Sequence, residues 1–151
     1  MKINKAGLQL VKECEGLRLK AYVCPAGVWT IGYGSTLGVR AGMEITREEA
    51  EALLIRDLKI FEDGVTKLTK TVKLNSNQFS ALVSFAFNLG LTALKNSTLM
   101  KRVLANPFDK DIENQLKRWV YAGGKILPGL IKRRDLESKL YFTPMETKAT
   151  K

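Results

Sequence analysis

Hydrophobic positions along this chain follow two rhythms. Between residues 19 and 33 they alternate with polar ones. Leu19, Ala21 and Val23 are interleaved with Lys20 and Tyr22, the period of two expected of a strand. Pro25-Ala26-Gly27 is turn chemistry, and Val28–Tyr33 reads as the returning strand. Gly32, Gly34, Gly38 and Gly42 make the next stretch loop-rich, so a small sheet of two or three strands is expected. On either side of this region the spacing is helical. Asn4 caps a first helix with the stripe Leu10, Val11 and Cys14, and Gly16 ends it by adopting the left-handed conformation after a helix. Thr46-Arg47-Glu48-Glu49 is a capping box. It opens a helix from residue 47 to residue 69 along Ala50, Leu53, Leu54, Leu58, Phe61, Val65 and Leu68, with Gly64 weakening it without ending it.

Everything beyond that helix reads as helical. Gln78–Leu89 is apolar nearly all round, a core helix stopped by Gly90. Ser97 caps a short helix to Leu104, and Asp109 caps another with Ile112, Leu116 and Trp119 inward, stopped by Gly123-Gly124. Pro128 suits the first turn of a last helix to Leu140, and the tail from Thr143 is expected to be unstructured. The pattern predicts an α+β, mostly α, single domain of two lobes. A small sheet-bearing lobe, residues 12–60, is joined by the helix 47–69 to a helical lobe, residues 70–142, packed with the N-terminal helix.

Composition narrows the chemistry. The 151 residues include 25 Lys and Arg, 15 Asp and Glu, two Cys and no His. Without an imidazole there is no Ser-His-Asp triad and no Cys-His pair, and a zinc site of the usual ligand types is disfavoured. Acid–base work falls to carboxylates, and no metal or cofactor is expected. The net charge of +10 predicts attraction to a polyanion: nucleic acid, an anionic lipid surface or a cell wall. Residues 101–151 hold 12 basic and 6 acidic residues and form the basic face. Aromatic residues are not interleaved with basic ones as a base-stacking surface requires, so nucleic acid is the weaker partner. Cys14 and Cys24 read as thiols of a reducing compartment. Met1–Leu10 lacks the apolar run of a secretory signal, and Ala81–Leu94 is too short and interrupted for stable membrane insertion.

Glu15, Cys24 and Thr30 are the candidate chemistry. Glu15 lies at a helix C-terminus, facing a hairpin whose turn carries Cys24 and whose return strand carries Thr30. The negative end of the helix dipole favours a protonated carboxyl there, as a glycosidase general acid requires. The run Glu15-Gly16-Leu17-Arg18-Leu19-Lys20-Ala21-Tyr22-Val23-Cys24, followed by Gly27-Val28-Trp29-Thr30-Ile31-Gly32-Tyr33-Gly34, resembles the phage-type lysozymes, glycoside hydrolase family 24. Gln78–Gly90, Ser97-Thr98-Leu99, Arg118–Gly124 and Arg133-Arg134 agree with that likeness, which spans residues 5–142 and is nearest the lambdoid endolysin branch. The resemblance implies a lysozyme-like fold and hydrolysis of the β-1,4 bond between N-acetylmuramic acid and N-acetylglucosamine in bacterial peptidoglycan. It implies a monomer that accumulates in the host cytoplasm and reaches the wall through a holin.

By position in the family, Glu15 is the general acid, and Thr30 and the residue at Cys24 hold the attacking water. The usual residue at position 24 is Asp, although a Cys-bearing subgroup exists. Cys24 therefore leaves two routes open, orienting water with Thr30 or attacking the sugar itself. A third possibility is that it marks a wall-binding module of the same fold without activity. Asn88 is either a wall of the saccharide cleft or a local hydrogen-bonding residue near Gly90. Tyr22 and Tyr33 are candidate cleft residues, and Trp119 is read as core. Arg133 and Arg134 either approach Glu15 or add surface charge. Ser35 stands where the family usually has His, which puts in doubt an ion pair made by that His.

Overall fold

The computed structural model describes residues 1–145. Helix α1 spans Lys5–Glu15, and the Asn4 side chain accepts from the Gly7 amide at 2.8 Å, the expected N-cap. The cap also anchors α1 to α3 (Ser76–Leu89): Asn4 donates through its backbone to Ser80 Oγ at 2.8 Å and through Nδ2 to Ser76 Oγ and Asn77 Oδ1 at 2.9 Å. Gly16 ends the helix at φ 75°, ψ 160°. The positive φ requires glycine, but the extended ψ is not that of a left-handed helical cap. It sends the chain straight into the sheet.

Strands β1 (Arg18–Val23) and β2 (Trp29–Gly32) pair antiparallel, with Tyr22 opposite Thr30 and an irregularity between Arg18 and Tyr22. A bridge between Lys20 and Glu44 is the only trace of a third strand among the described residues. The return strand is shorter than predicted because Ile31 and Ser35 exchange backbone hydrogen bonds of 2.9 Å. That reversal needs Gly32 and Gly34 at φ 67° and 97°.

Helix α2 (Arg47–Leu68) opens on both halves of the capping box. Glu49 N donates to Thr46 Oγ1 at 3.0 Å, and Thr46 N to Glu49 Oε1 at 2.8 Å. Gly64 continues the helix and packs against the Leu91 side chain. The helical lobe continues through α4 (Leu91–Asn96), α5 (Thr98–Ala105) and α6 (Asp111–Lys117) to α7 (Pro128–Tyr141). α4 was not expected: Gly90, at φ 100°, ends α3 and starts α4 within one residue.

The all-helical reading of this lobe is corrected at residues 121–126. There β3 (Tyr121–Ala122) and β4 (Lys125–Ile126) form a hairpin. Gly123 and Gly124, read as a helix stop, take φ 59° and 78°, the two positive angles of a tight hairpin turn. Trp119 lies beyond the end of α6 and packs edge-on against Phe85 at 5.5 Å. At the C-terminus, Thr143 belongs to the folded part, since its carbonyl accepts from Asn77 Nδ2 at 2.9 Å. The rest of the expected tail, residues 146–151, lies outside the described residues.

α3 is the hub. It packs on α1, α2, α4 and α7 and carries the buried Phe79, Leu82, Val83, Phe85 and Ala86. Through α3 and α7 the first helix of the chain joins the last. The α1–α3 approach depends on Gly7, where a Cβ would lie 2.6 Å from Ser80 Cβ and 2.8 Å from Ile3 Cγ1. Ser80 Cβ is fixed to helix backbone and cannot swing away. Gly7→Ala should therefore lower stability by about 1–2 kcal/mol, overpacking outweighing the better helix propensity. Urea unfolding checks this, and an unchanged or higher midpoint would contradict it.

Candidate active site

Glu15 is the last residue of α1, so the helix end and the Gly16 turn fix where its side chain starts. The side chain is 24% exposed, and Oε2 accepts from Arg133 Nη1 of α7 at 2.7 Å. The other oxygen, Oε1, faces Gly34, where a Cβ would sit 3.5 Å away. A cavity of about 530 Å³ opens here, lined by Cys14, Glu15, Asn88, Leu127, Pro128 and Arg133 among others.

Behind Glu15 lies a buried charge cluster. Arg133, Arg134 and Glu137 are 4%, 0% and 0% exposed. Arg133 Nε meets Glu137 Oε2 at 3.3 Å, and its Nη2 donates to the Ser84 carbonyl and hydroxyl at 3.2 and 3.3 Å. Ser84 Oγ donates to Glu137 Oε2 at 2.6 Å. Arg134 lies 2.7 Å from Glu137 Oε1 through Nε, at an angle unsuited to a hydrogen bond, and donates from Nη2 to Glu137 Oε2 at 3.1 Å. Burial pushes the Glu137 carboxyl up, and the two guanidinium groups and Ser84 pull against it.

The two arginines left open by the sequence thus have different fates. Arg133 reaches Glu15. Arg134 turns inward, over the Phe85 ring at 5.1 Å, and donates to Asn88 Oδ1 at 2.8 Å. Glu137 was missed. Its spacing of three and four residues from Arg134 and Arg133 is the pairing geometry of a helix face, which is the signal that could have found it.

The hairpin brings Cys24 and Thr30 together. Gly27 N donates to the Cys24 carbonyl at 2.8 Å, closing the turn, and Cys24 N donates to Val28 O at 3.0 Å. Thr30 is 4% exposed, and its single hydroxyl proton can go either to Val28 O at 2.9 Å or to the Cys24 sulfur. The Val28 amide, then the Thr30 hydroxyl and the Ala26 amide hold the Cys24 thiol below its ordinary range. Neither Cys24 nor Thr30 lines the cavity at Glu15. They belong to the sheet whose Gly32-Tyr33-Gly34 reversal runs past Oε1.

Cys14 is the opposite case. Burial raises its thiol, and the charge of Arg133 only partly offsets that. Between about pH 6 and 8, iodoacetamide should modify Cys24 roughly tenfold faster than Cys14, because the thiolate is the reacting form. Peptide mass spectrometry of timed samples checks the order, and faster modification of Cys14 would contradict it.

Three other positions resolve differently. Tyr33 is 6% exposed and belongs to the core, which corrects its reading as a cleft residue. A ring at the reversal between Gly32 and Gly34 turns inward, with Lys12 Nζ 5.9 Å from its centroid. The Tyr22 ring is covered by Arg18 at 4.5 Å and does not line the cavity at Glu15. Ser35 is buried and donates to Asp57 Oδ2 at 2.6 Å, while Asp57 Oδ1 accepts from Arg56 Nε and Nη2 at 3.0 and 2.8 Å. A neutral hydroxyl here bonds a carboxylate at the position where the resemblance implied a histidine.

Comparison with known proteins identifies relatives in sequence and in fold. The family described as Phage lysozyme matches residues 12–137. The endolysin of Bacillus phage B103 is 47% identical over 95% of this chain, which spans 55% of that protein's length. The endolysin of Acyrthosiphon pisum secondary endosymbiont phage 1 is 44% identical over 93% of this chain and 98% of its own. Among solved structures, the endolysin of Escherichia coli O157:H7 phage FAHEc1 superposes with a TM-score of 0.87 at 36% identity, covering 98% of each chain. The muramidase domain of SpmX from Asticaccaulis excentricus gives 0.86 at 40% identity, covering 95% of this chain and 99% of its own. The P1 phage endolysin Lyz is known in two forms. This chain matches the active form at 0.83 and the secreted inactive form at 0.60, at 32% and 31% identity, covering 93% of this chain and 85% and 95% of theirs. The fold here is thus nearer to that of the active form than to that of the secreted inactive form. With the family match over most of its length and near-full-length relatives above 30% identity, the chain belongs to the phage lysozyme family, the lysozyme-type glycoside hydrolases.

Proposed function

We propose that this chain works as a single lysozyme-like domain and an endolysin. It would hydrolyse the β-1,4 bond between N-acetylmuramic acid and N-acetylglucosamine in peptidoglycan. The observation that carries this reading is the Glu15 carboxyl, held at a cleft by Arg133, with Gly34, at the end of the sheet that carries Cys24 and Thr30, against its Oε1. Glu15, through Oε1, is the general acid that protonates the leaving sugar oxygen, the role of the acidic carboxyl in glycosidases. Cys24 and Thr30 hold the attacking water, and a thiolate at Cys24 can take its proton, which inverts the anomeric centre. Asn88 Oδ1 is engaged by Arg134, which leaves Nδ2 for a sugar hydroxyl or acetamido group. Tyr22 contributes at the sheet side of the substrate path.

A second route rests on the lowered Cys24 thiol. As a thiolate it attacks C1 directly, the sugar oxygen leaves with the proton of Glu15, and water later displaces sulfur, giving net retention. Digestion of purified peptidoglycan separates these readings. New N-acetylmuramic acid reducing ends support hydrolysis at this bond, and their absence would overturn the assignment. NMR of the first-formed anomer distinguishes water attack, with inversion, from the covalent route, with retention.

The charge of +10 suits an anionic wall. We place the protein, as a monomer, in the host cytoplasm until a holin releases it to the wall, where it lyses the cell. Two of the matched relatives are named SAR-endolysins, from Escherichia phage P1 and bacteriophage PS119. Among the described residues here, no helix is long and apolar enough to cross a membrane. Lysis of a host that depends on a co-expressed holin tests this route.

A further inference from the structure

We propose that Glu137 is a positioning residue for Glu15, acting through the Arg133 guanidinium. This rests on the reading of Glu15 as the general acid. A guanidinium is planar, so fixing two of its nitrogens fixes the direction of the third. In Arg133, Nε faces Glu137 Oε2 at 3.3 Å, and Nη2 is held by the Ser84 carbonyl and hydroxyl at 3.2 and 3.3 Å. Both partners are fully buried. Only Nη1 points outward, and it meets Glu15 Oε2 at 2.7 Å.

Ser84 ties the two sides of this frame together, accepting from Arg133 Nη2 and donating to Glu137 Oε2. Arg134 supplies a second buried positive charge against Glu137. One guanidinium charge is thereby balanced inside the cluster, and the other remains for Glu15. The frame stands on α3 and α7, whereas Glu15 hangs from the end of α1. A carboxyl at a helix end has freedom that the frame removes: it fixes Oε2 and leaves Oε1 facing Gly34. Buried ion clusters are often no more stabilising than apolar side chains of the same size. Orientation of the catalytic oxygen gives this one a function beyond packing.

The test measures kcat and KM on soluble peptidoglycan fragments for Glu137→Gln, Ser84→Ala, Arg133→Lys and the Glu137→Gln/Arg133→Lys pair, well below each melting temperature. Glu137→Gln and Ser84→Ala should each lower kcat about tenfold or more with KM within about twofold, because misplacing a reacting group lowers the rate of the chemical step. Arg133→Lys, which loses the planar fork, should show the same pattern, and adding Glu137→Gln to it should lower kcat little further. Loss of melting temperature with wild-type kcat would overturn the proposal and leave Glu137 a purely structural residue. Losses that multiply in the double variant would overturn its action through Arg133. Should Glu137→Gln not fold, Ser84→Ala, which keeps every charge, decides the matter by the same kcat criterion. A Glu15→Gln enzyme that keeps full activity would instead defeat the general-acid reading.

Discussion

Glu15→Gln will clear outer-membrane-stripped Gram-negative cells about 10²–10⁴-fold more slowly than the unaltered protein, the range by which a positioned general acid accelerates a reaction. The amide keeps the shape of the side chain but has no acidic proton for the leaving sugar oxygen. It also leaves Arg133 Nη1 facing a neutral group, so circular dichroism must show that the variant is folded at the assay temperature. Glu15→Asp should lie between the two, retaining the proton but drawing it back from the cleft by one methylene. Equal clearing by wild type and Glu15→Gln would remove Glu15 from the mechanism. The absence of clearing by wild type would favour a wall-binding module of the same fold.

Glu137→Leu should carry the largest stability loss, about 3–5 kcal/mol, because it leaves the buried Arg134 guanidinium without a counter-ion and Arg133 with Glu15 alone. For a chain of this length that corresponds to a fall in melting temperature of roughly 6–20 °C. Replacing Arg134 by Met in the same protein should recover more than half of the loss, since an apolar pair of similar size removes the unpaired charge together with its partner. Thermal unfolding of the two single variants and the double variant measures this. Simple additivity would mean that Arg134 and Glu137 do not share one energetic unit.

Much of the fold was legible because its signals are local. Asn4, Thr46, Asn75 and Ser97 all cap helices through side-chain hydrogen bonds, and the first, second and fourth of these were readable from residue type and spacing alone. The β1–β2 hairpin followed from its period of two. The β3–β4 hairpin did not, because two residues per strand are too few to show a period and Gly123-Gly124 serves a helix stop as well as a turn.

In the candidate site the limit was long-range partnership. Glu15, Cys24 and Thr30 stand within one short segment and could be picked out together. The approach of Arg133 to Glu15 could not, since nothing in α7 distinguishes an arginine that turns to the cleft from the adjacent one that turns inward. Tyr33 was misplaced because an aromatic residue between glycines can face either way until the reversal is known.

The pair between Glu15 and Arg133 joins residues 118 apart in the chain. A growing chain therefore displays Glu15, Cys24 and Thr30 early in synthesis, yet holds no complete cleft until the last helix has left the ribosome and docked on α1 and α3. Contacts this distant in sequence are also among the slowest to form. On the proposed reading, activity waits on the docking of α7, and a fragment ending before residue 133 would have Glu15 without its Arg133 partner.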